Sequence, residues 1–120
     1  MVVSLVTDIA KQSNLSPKQL ESLMSYIKIS SGQLRYKDAA ALRTGHSVTV
    51  GSYFRTVQQG KRRVRESIVT VLIAVSIGLV KSDDFRRLLE LMGRAGLEVA
   101  EDDRERFSVI LRTLIDRIVI

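Results

Sequence analysis

The chain has 120 residues, 45% of them hydrophobic and 27% charged, a balance that excludes wholesale disorder and suffices for one core without staples. It has no cysteine, which excludes a disulfide scaffold, a thiolate metal site and a cysteine nucleophile together and suits a reducing cytoplasm. Its net charge of +6 suits a polyanionic partner.

Apolar spacing of three and four residues predicts helices throughout, and so an all-α fold in a single domain, 1–120. A short helix is expected over 3–12. Its start, Met1-Val-Val-Ser-Leu-Val-Thr-Asp8, has no basic n-region, so no secretory leader is expected. Ser13-Asn-Leu-Ser16 breaks it. Ser16-Pro17-Lys-Gln19 then starts a second helix, with Ser16 as N-cap, Pro17 preset for the first turn and Gln19 at the capping-box position. Leu20, Leu23, Met24, Ile27 and Ile29 give it an apolar stripe, and Ser30-Ser-Gly-Gln33 ends it. A short alanine-rich helix is expected over 36–43, then a break at Thr44-Gly-His-Ser47.

A further helix begins near Val50. Val50, Phe54, Val57, Val64, Ile68, Leu72, Val75 and Leu79 keep one phase at about 100° per residue, with only Lys61 interrupting beside Gly60. Residues 50–80 are therefore one helix or two hinged at Gly60. The hinge is favoured, because glycine weakens a helix and Lys61 would otherwise enter the apolar stripe. The β-branched run Ile68–Val80 leaves a strand open as the lesser reading. At 13 residues it is short of the roughly 20 that cross a bilayer, and it reads as a buried core segment. Ser82-Asp-Asp-Phe85 starts a helix that Gly93-Arg-Ala-Gly96 stops. The last helix opens near Ala100 on Glu101, Asp102 and Asp103, the sign that a helix N-terminus prefers. It carries Phe107, Ile110, Leu111, Leu114, Ile115 and Ile118.

The positive charge is concentrated. Between Arg35 and Arg65 lie eight bases and one acid, Asp38, whereas the rest of the chain has 11 bases and 12 acids. With Val50, Phe54 and Val57 turned inward, the opposite face of the same helix presents Arg55, Gln59, Ser52, Arg63 and Thr56, at about 140° to 240° from Val50. Such a face, held by an apolar one and bearing short polar and basic groups, is what a major-groove reading helix needs. Arginine can pair with guanine and glutamine with adenine. Lys61-Arg-Arg-Val-Arg65 suits phosphate contact, which adds affinity more than sequence information. The expected DNA-binding set is Lys37, Arg43, Thr49, Ser52, Arg55, Thr56, Gln59, Lys61, Arg62, Arg63 and Arg65. A solvated basic face without a partner is the competing reading.

The segment Lys37-Asp-Ala-Ala-Ala-Leu-Arg-Thr-Gly-His-Ser-Val-Thr-Val-Gly-Ser-Tyr-Phe-Arg-Thr-Val57 resembles the helix-turn-helix of DNA-binding transcription regulators, in particular the LuxR-like and sigma-factor region 4 types. Ala40 falls at the small residue where the two helices touch. Thr49-Val50 falls at the start of the recognition helix, and Phe54 and Val57 at its anchors. Leu42 is one position early for the apolar residue closing the first helix, and Gly51 is a poor helix former. A second frame, with Ala41 and Gly45 at the small and turn positions, matches the phage-repressor pattern, so the register stays open. The resemblance implies a helix-turn-helix at about 35–60. The apolar supply at 68–80 and 107–120, costly to leave in water, predicts in addition a long central helix and C-terminal helices over about 62–120 that form a dimerisation core.

No catalytic constellation accompanies it. His46, the lone histidine, reads as a turn residue, and neither Asp83-Asp84 nor the acids at 101–103 form an acid–base pair or metal site. No enzyme activity, metal, cofactor, small-molecule ligand or membrane contact is expected. The expected partners are double-stranded DNA and a second copy of the chain, joined through 68–80, 107–120 or both. The location that follows is cytoplasmic and nucleoid-associated. A sequence-specific regulator, a non-specific or architectural nucleic-acid binder, and an adaptor whose basic face meets an acidic protein remain as functions.

Overall fold

Ser16 does start a helix in the way its neighbours foretell. In a computed structural model, which describes residues 2–41, 48–95 and 101–120, the Ser16 hydroxyl accepts from the Gln19 amide at 3.1 Å. The Gln19 side chain in turn accepts from the Ser16 amide at 3.1 Å. This closed capping box, with proline in the first turn, satisfies donors that a bare helix end leaves open. The described residues are mostly helical, so the all-α expectation holds. The helices are α1 (Val2–Ala10), α2 (Pro17–Ser30), α3 (Tyr36–Ala41), α4 (Val50–Ser76), α5 (Ser82–Ala95) and α6 (Arg104–Ile118). They fall into two compact units, residues 14–66 and residues 1–13 with 67–120.

The 14–66 unit holds α2, α3 and the first part of α4 around a core of Ala39, Ala40, Tyr53 and Val57, with Leu23, Tyr26, Ile29, Leu34, Tyr36 and Val48 packed against it. Gly32, at φ +80°, ends α2. It sits in a left-handed cap in which the Gln33 amide returns to the Lys28 carbonyl and the Gly32 amide to Ile29. The small side chains of α3 let it lie close to α4, and the Val48 amide bonds the Ala40 carbonyl at 3.1 Å. Tyr53 is 1% exposed. Its hydroxyl donates to the Ser22 carbonyl at 3.0 Å and shares a short hydrogen bond with the Ser25 hydroxyl. A buried phenol needs such partners. Burial pushes its pKa up, partly offset by the Ser25 bond. Tyr36 joins Tyr53, Tyr26 and Phe54 at ring separations of 6.2 to 6.4 Å.

Two expectations about the first part of α4 are corrected. The first is the hinge at Gly60, because α4 is a single helix of 27 residues. Gly60 is buried instead, and a Cβ there would lie 2.9 Å from Leu23 Cδ1 and 3.1 Å from Leu23 Cγ. The glycine is a contact point for α2. Gly60→Leu should therefore cost about 1–3 kcal/mol by overpacking, read by urea unfolding. Gly60→Ala should cost much less, since only the end of a leucine must move. The second correction concerns phase. The buried face of α4 in this unit is Tyr53, Val57 and Gly60, turned about 50–60° from the expected stripe. Val50 and Phe54 are close to half exposed. Aliphatic weight misplaced the stripe, since the heaviest buried group is a tyrosine and the closest approach is at a glycine.

The other unit holds α1, the rest of α4, α5 and α6. The Asp8 carboxylate pairs with Arg104 at 2.7 Å, and the Gln12 amide donates to Ser108, joining α1 to α6. Gly78, at φ +82°, ends α4 in a second left-handed cap, with the Leu79 amide on the Ala74 carbonyl and the Gly78 amide on Val75. The chain leaves the helix there, and Val80 makes an isolated antiparallel bridge with Val119. No named strand occurs among the described residues, which removes the strand reading of 68–80. Glu101–Asp103 form a 3₁₀ turn ahead of α6. The expectation of a buried core segment fails: Ile68, Val69, Leu72, Ile73 and Ile77 are all more than half exposed.

Candidate nucleic-acid interface

Thr49 sets the start of α4 by accepting from the Ser52 amide at 3.0 Å through its hydroxyl, an N-cap contact. From that fixed end the buried Tyr53 and Val57 determine which side chains stand outward. Arg55, Gln59 and Arg62 are exposed and lie within about 60° of one another around the helix. The rotation of the buried face brings these three to its outward centre. Ser52 and Thr56 move to the flank, where both are half-buried. The Thr56 hydroxyl donates to the Ser52 carbonyl at 3.1 Å, so it is engaged within its own helix. Of the outward face expected from the sequence, Arg55 and Gln59 stand together in solvent, while Ser52 and Thr56 border them.

The basic cluster does not act as one grip. Lys61 is half-buried and turns towards α2, with its ammonium 4.7 Å from the Tyr26 ring centre and 3.3 Å from the Tyr26 hydroxyl. The bond from Lys61 is the main cause that lowers the Tyr26 pKa. Lys61 therefore lies about 120° around the helix from Arg55. Sequence reasoning gave it to phosphate contact and invoked a hinge at Gly60 to keep it out of the apolar stripe; the aromatic platform instead accounts for a cation at that position in an unbroken helix. Arg63 donates to the Asn14 carbonyl. Arg62 pairs with Glu66 at 3.0 Å, an exposed i,i+4 pair that a phosphate can outcompete, being worth roughly 0.3–0.5 kcal/mol. Arg65 is exposed, and neither it nor Arg55 has an acidic partner among the described residues. Lys37 is exposed on α3, next to Asp38 of the Arg35–Asp38 pair. Arg43 and His46 lie outside the described residues.

Charge separates the two units as sharply as packing does. Residues 14–66 carry ten of the 19 bases and three of the 13 acids, a net of +7, and the remainder is at −1. No protein-family model, curated protein or solved structure matches this chain. Among the described residues, no group of three or more His, Cys, Asp or Glu could hold a metal ion, and no helix is long and apolar enough to cross a membrane.

On its other flank α4 meets α2 in an open apolar groove of about 470 Å³, lined by Leu23, Met24, Tyr26, Ile27 and Val64 with Lys61 and Arg65 at its rim. Sequence reasoning missed this groove. The exposed Ile27 opposite Val64 was the available signal.

Proposed function

We propose that the 14–66 unit is a helix-turn-helix module that reads duplex DNA with the first part of α4, and that the protein is a sequence-specific transcription regulator of the cytoplasm, held at the nucleoid by its DNA. The observation that carries this reading is the outward row of Arg55, Gln59 and Arg62 on a helix clamped from behind by Tyr53 and Val57 against Ala39 and Ala40. Between Val50 and Arg65 α4 contains no acid, so nothing on this stretch repels a phosphate backbone. Arg55 and Gln59 are the base-reading pair, by the bidentate contacts that arginine makes to guanine and glutamine to adenine. Arg62, Arg65 and Lys37 supply phosphate contacts that fix the position of the helix.

Selection from a random duplex library at a stated salt concentration tests the reading. Enrichment of a short motif supports base recognition. Recovery of duplexes without a common motif identifies the non-specific, architectural alternative. Salt provides a second check. Arg65→Ala should weaken every duplex alike and make the slope of log K against log salt shallower by about 0.9, the release expected from one lost phosphate contact. Lys61→Ala should change that slope less, because its ammonium faces Tyr26.

An adaptor reading draws on the basic-rimmed apolar groove between α2 and α4, which suits an acidic amphipathic helix. It predicts that Ile27→Glu abolishes partner binding and that no duplex is bound in a salt-dependent way.

A further inference from the structure

We infer that the 67–120 part of the chain pairs with a second copy of itself through the apolar face that α4 leaves open over Ile68, Val69, Leu72 and Ile73. These four positions follow an i, i+1, i+4, i+5 pattern and share one side of the helix, and each is between 54% and 61% exposed. Ile77, at 72%, and Leu79 continue the open surface at the helix end. The C-terminal Val119 and Ile120 join them, since Val119 bridges Val80 and the Ile120 amide bonds the Leu79 carbonyl.

The interior of the same unit is correspondingly thin. Among its described residues only Leu111 and Ile118 are buried apolar side chains. Together the eight exposed apolar side chains offer a surface on the scale of the ~800 Å² that each partner contributes to a stable interface. It exceeds the 300–600 Å² of the largest patch on an ordinary monomer, roughly. A core shared between two copies is the usual form of an obligate homodimer.

Charge identifies the occupant as a second copy. From Ser67 to Val80 there is no charged residue. Such a stripe gives no registration to a strongly acidic or basic partner, and it lacks the lysines and arginines found on the polar face of helices that lie on anionic lipid. It can match itself about a two-fold axis. The unit that carries it is near neutral, at −1, whereas the 14–66 unit is at +7, so two copies meet here without the repulsion they would face at the other. The exposed apolar residues of α6 are less suited, because Arg106, Arg112, Asp116 and Arg117 are interspersed among them.

Sedimentation equilibrium of the full chain without DNA, from 1 to 100 µM, tests the pairing independently of any DNA reading. The expected result is a mass of two copies for the wild type and one copy for Ile68→Glu with Leu72→Glu, a loss of association of at least about 100-fold. The helical circular dichroism of that variant should be unchanged, and Ile27→Glu on the 14–66 unit should leave the pair intact. A wild type at one-copy mass throughout, or a double variant still at two-copy mass, overturns the inference. Should the double variant lose its helical signal, the wild type decides by itself: its thermal midpoint rises with protein concentration if the pair exists, and a constant midpoint refutes it. One-copy mass together with flotation on anionic vesicles would assign the face to lipid and also overturn it.

Discussion

Tyr53→Ala is expected to destabilise the protein by about 3–5 kcal/mol, the usual cost of emptying an aromatic site in a core. The residue is 1% exposed and stands at the centre of the 14–66 core. Its loss removes the ring contact with Tyr36 at 6.2 Å and leaves the buried Ser22 carbonyl without its phenolic donor. Both the cavity and the lost hydroxyl hydrogen bond oppose the fold, although the Ser22 carbonyl still accepts from the Ser25 hydroxyl. Tyr53→Phe keeps the ring and loses only the hydroxyl contacts, so it should cost about 1–2 kcal/mol. Urea unfolding of the three proteins checks the ranking. Equal costs for both variants would show that the hydrogen bonds, and not the packing, hold α4 in place. Because Tyr53 fixes the rotation of α4, a weakened anchor should also degrade DNA binding while the rest of the helix remains formed.

Arg55→Ala and Gln59→Ala should each reduce discrimination between the selected duplex and random duplex by about 5- to 150-fold, equivalent to roughly 1–3 kcal/mol for a bidentate base contact. Affinity for random duplex should fall far less with Gln59→Ala than with Arg55→Ala, since glutamine carries no charge to exchange with counterions. Thr56→Ala should change discrimination little, because its hydroxyl is already bonded to the Ser52 carbonyl. Competition binding at one salt concentration measures all three. If Thr56→Ala relaxed specificity as strongly as Arg55→Ala, the outward face would be centred further round the helix than Tyr53 and Val57 place it.

The starts of helices were readable wherever a side chain closes a hydrogen bond locally. Ser16 with Gln19 is such a device, its chemistry lying within three residues, and the Thr49 cap on α4 is of the same kind although the sequence reading placed that start by the helix-turn-helix resemblance. Stops were readable at Gly32. At Gly78 they were not, because the apolar run continues through it to Val80 and its left-handed turn is masked by its neighbours. The phase of α4 was misjudged for a related reason. Counting apolar residues placed Phe54 inside and left Lys61 as an interruption, while the decisive contacts are long-range: Tyr53 with Ser22 and Ser25, Gly60 with Leu23, and Lys61 with Tyr26. No spacing rule within α4 encodes what α2 offers it. The consequence for the site is a narrowing. Arg55 and Gln59 remain outward, Ser52 and Thr56 become flanking, and the phosphate contacts proposed for this helix fall to Arg62 and Arg65 rather than Lys61. The break expected at 44–47, on which the two alternative registers differ, lies outside the described residues.

Methylation interference in the major groove offers the sharpest test of α4 as a reading helix. A duplex recovered by selection is methylated sparsely at guanine N7, and bound and free fractions are compared for the wild type and Arg55→Ala. One or two guanines per half-site should block wild-type binding when methylated, and that block should vanish for Arg55→Ala, because the atom modified is the one an arginine would contact. Wild-type binding indifferent to N7 methylation at every guanine, or the same interference pattern with and without Arg55, would contradict the account.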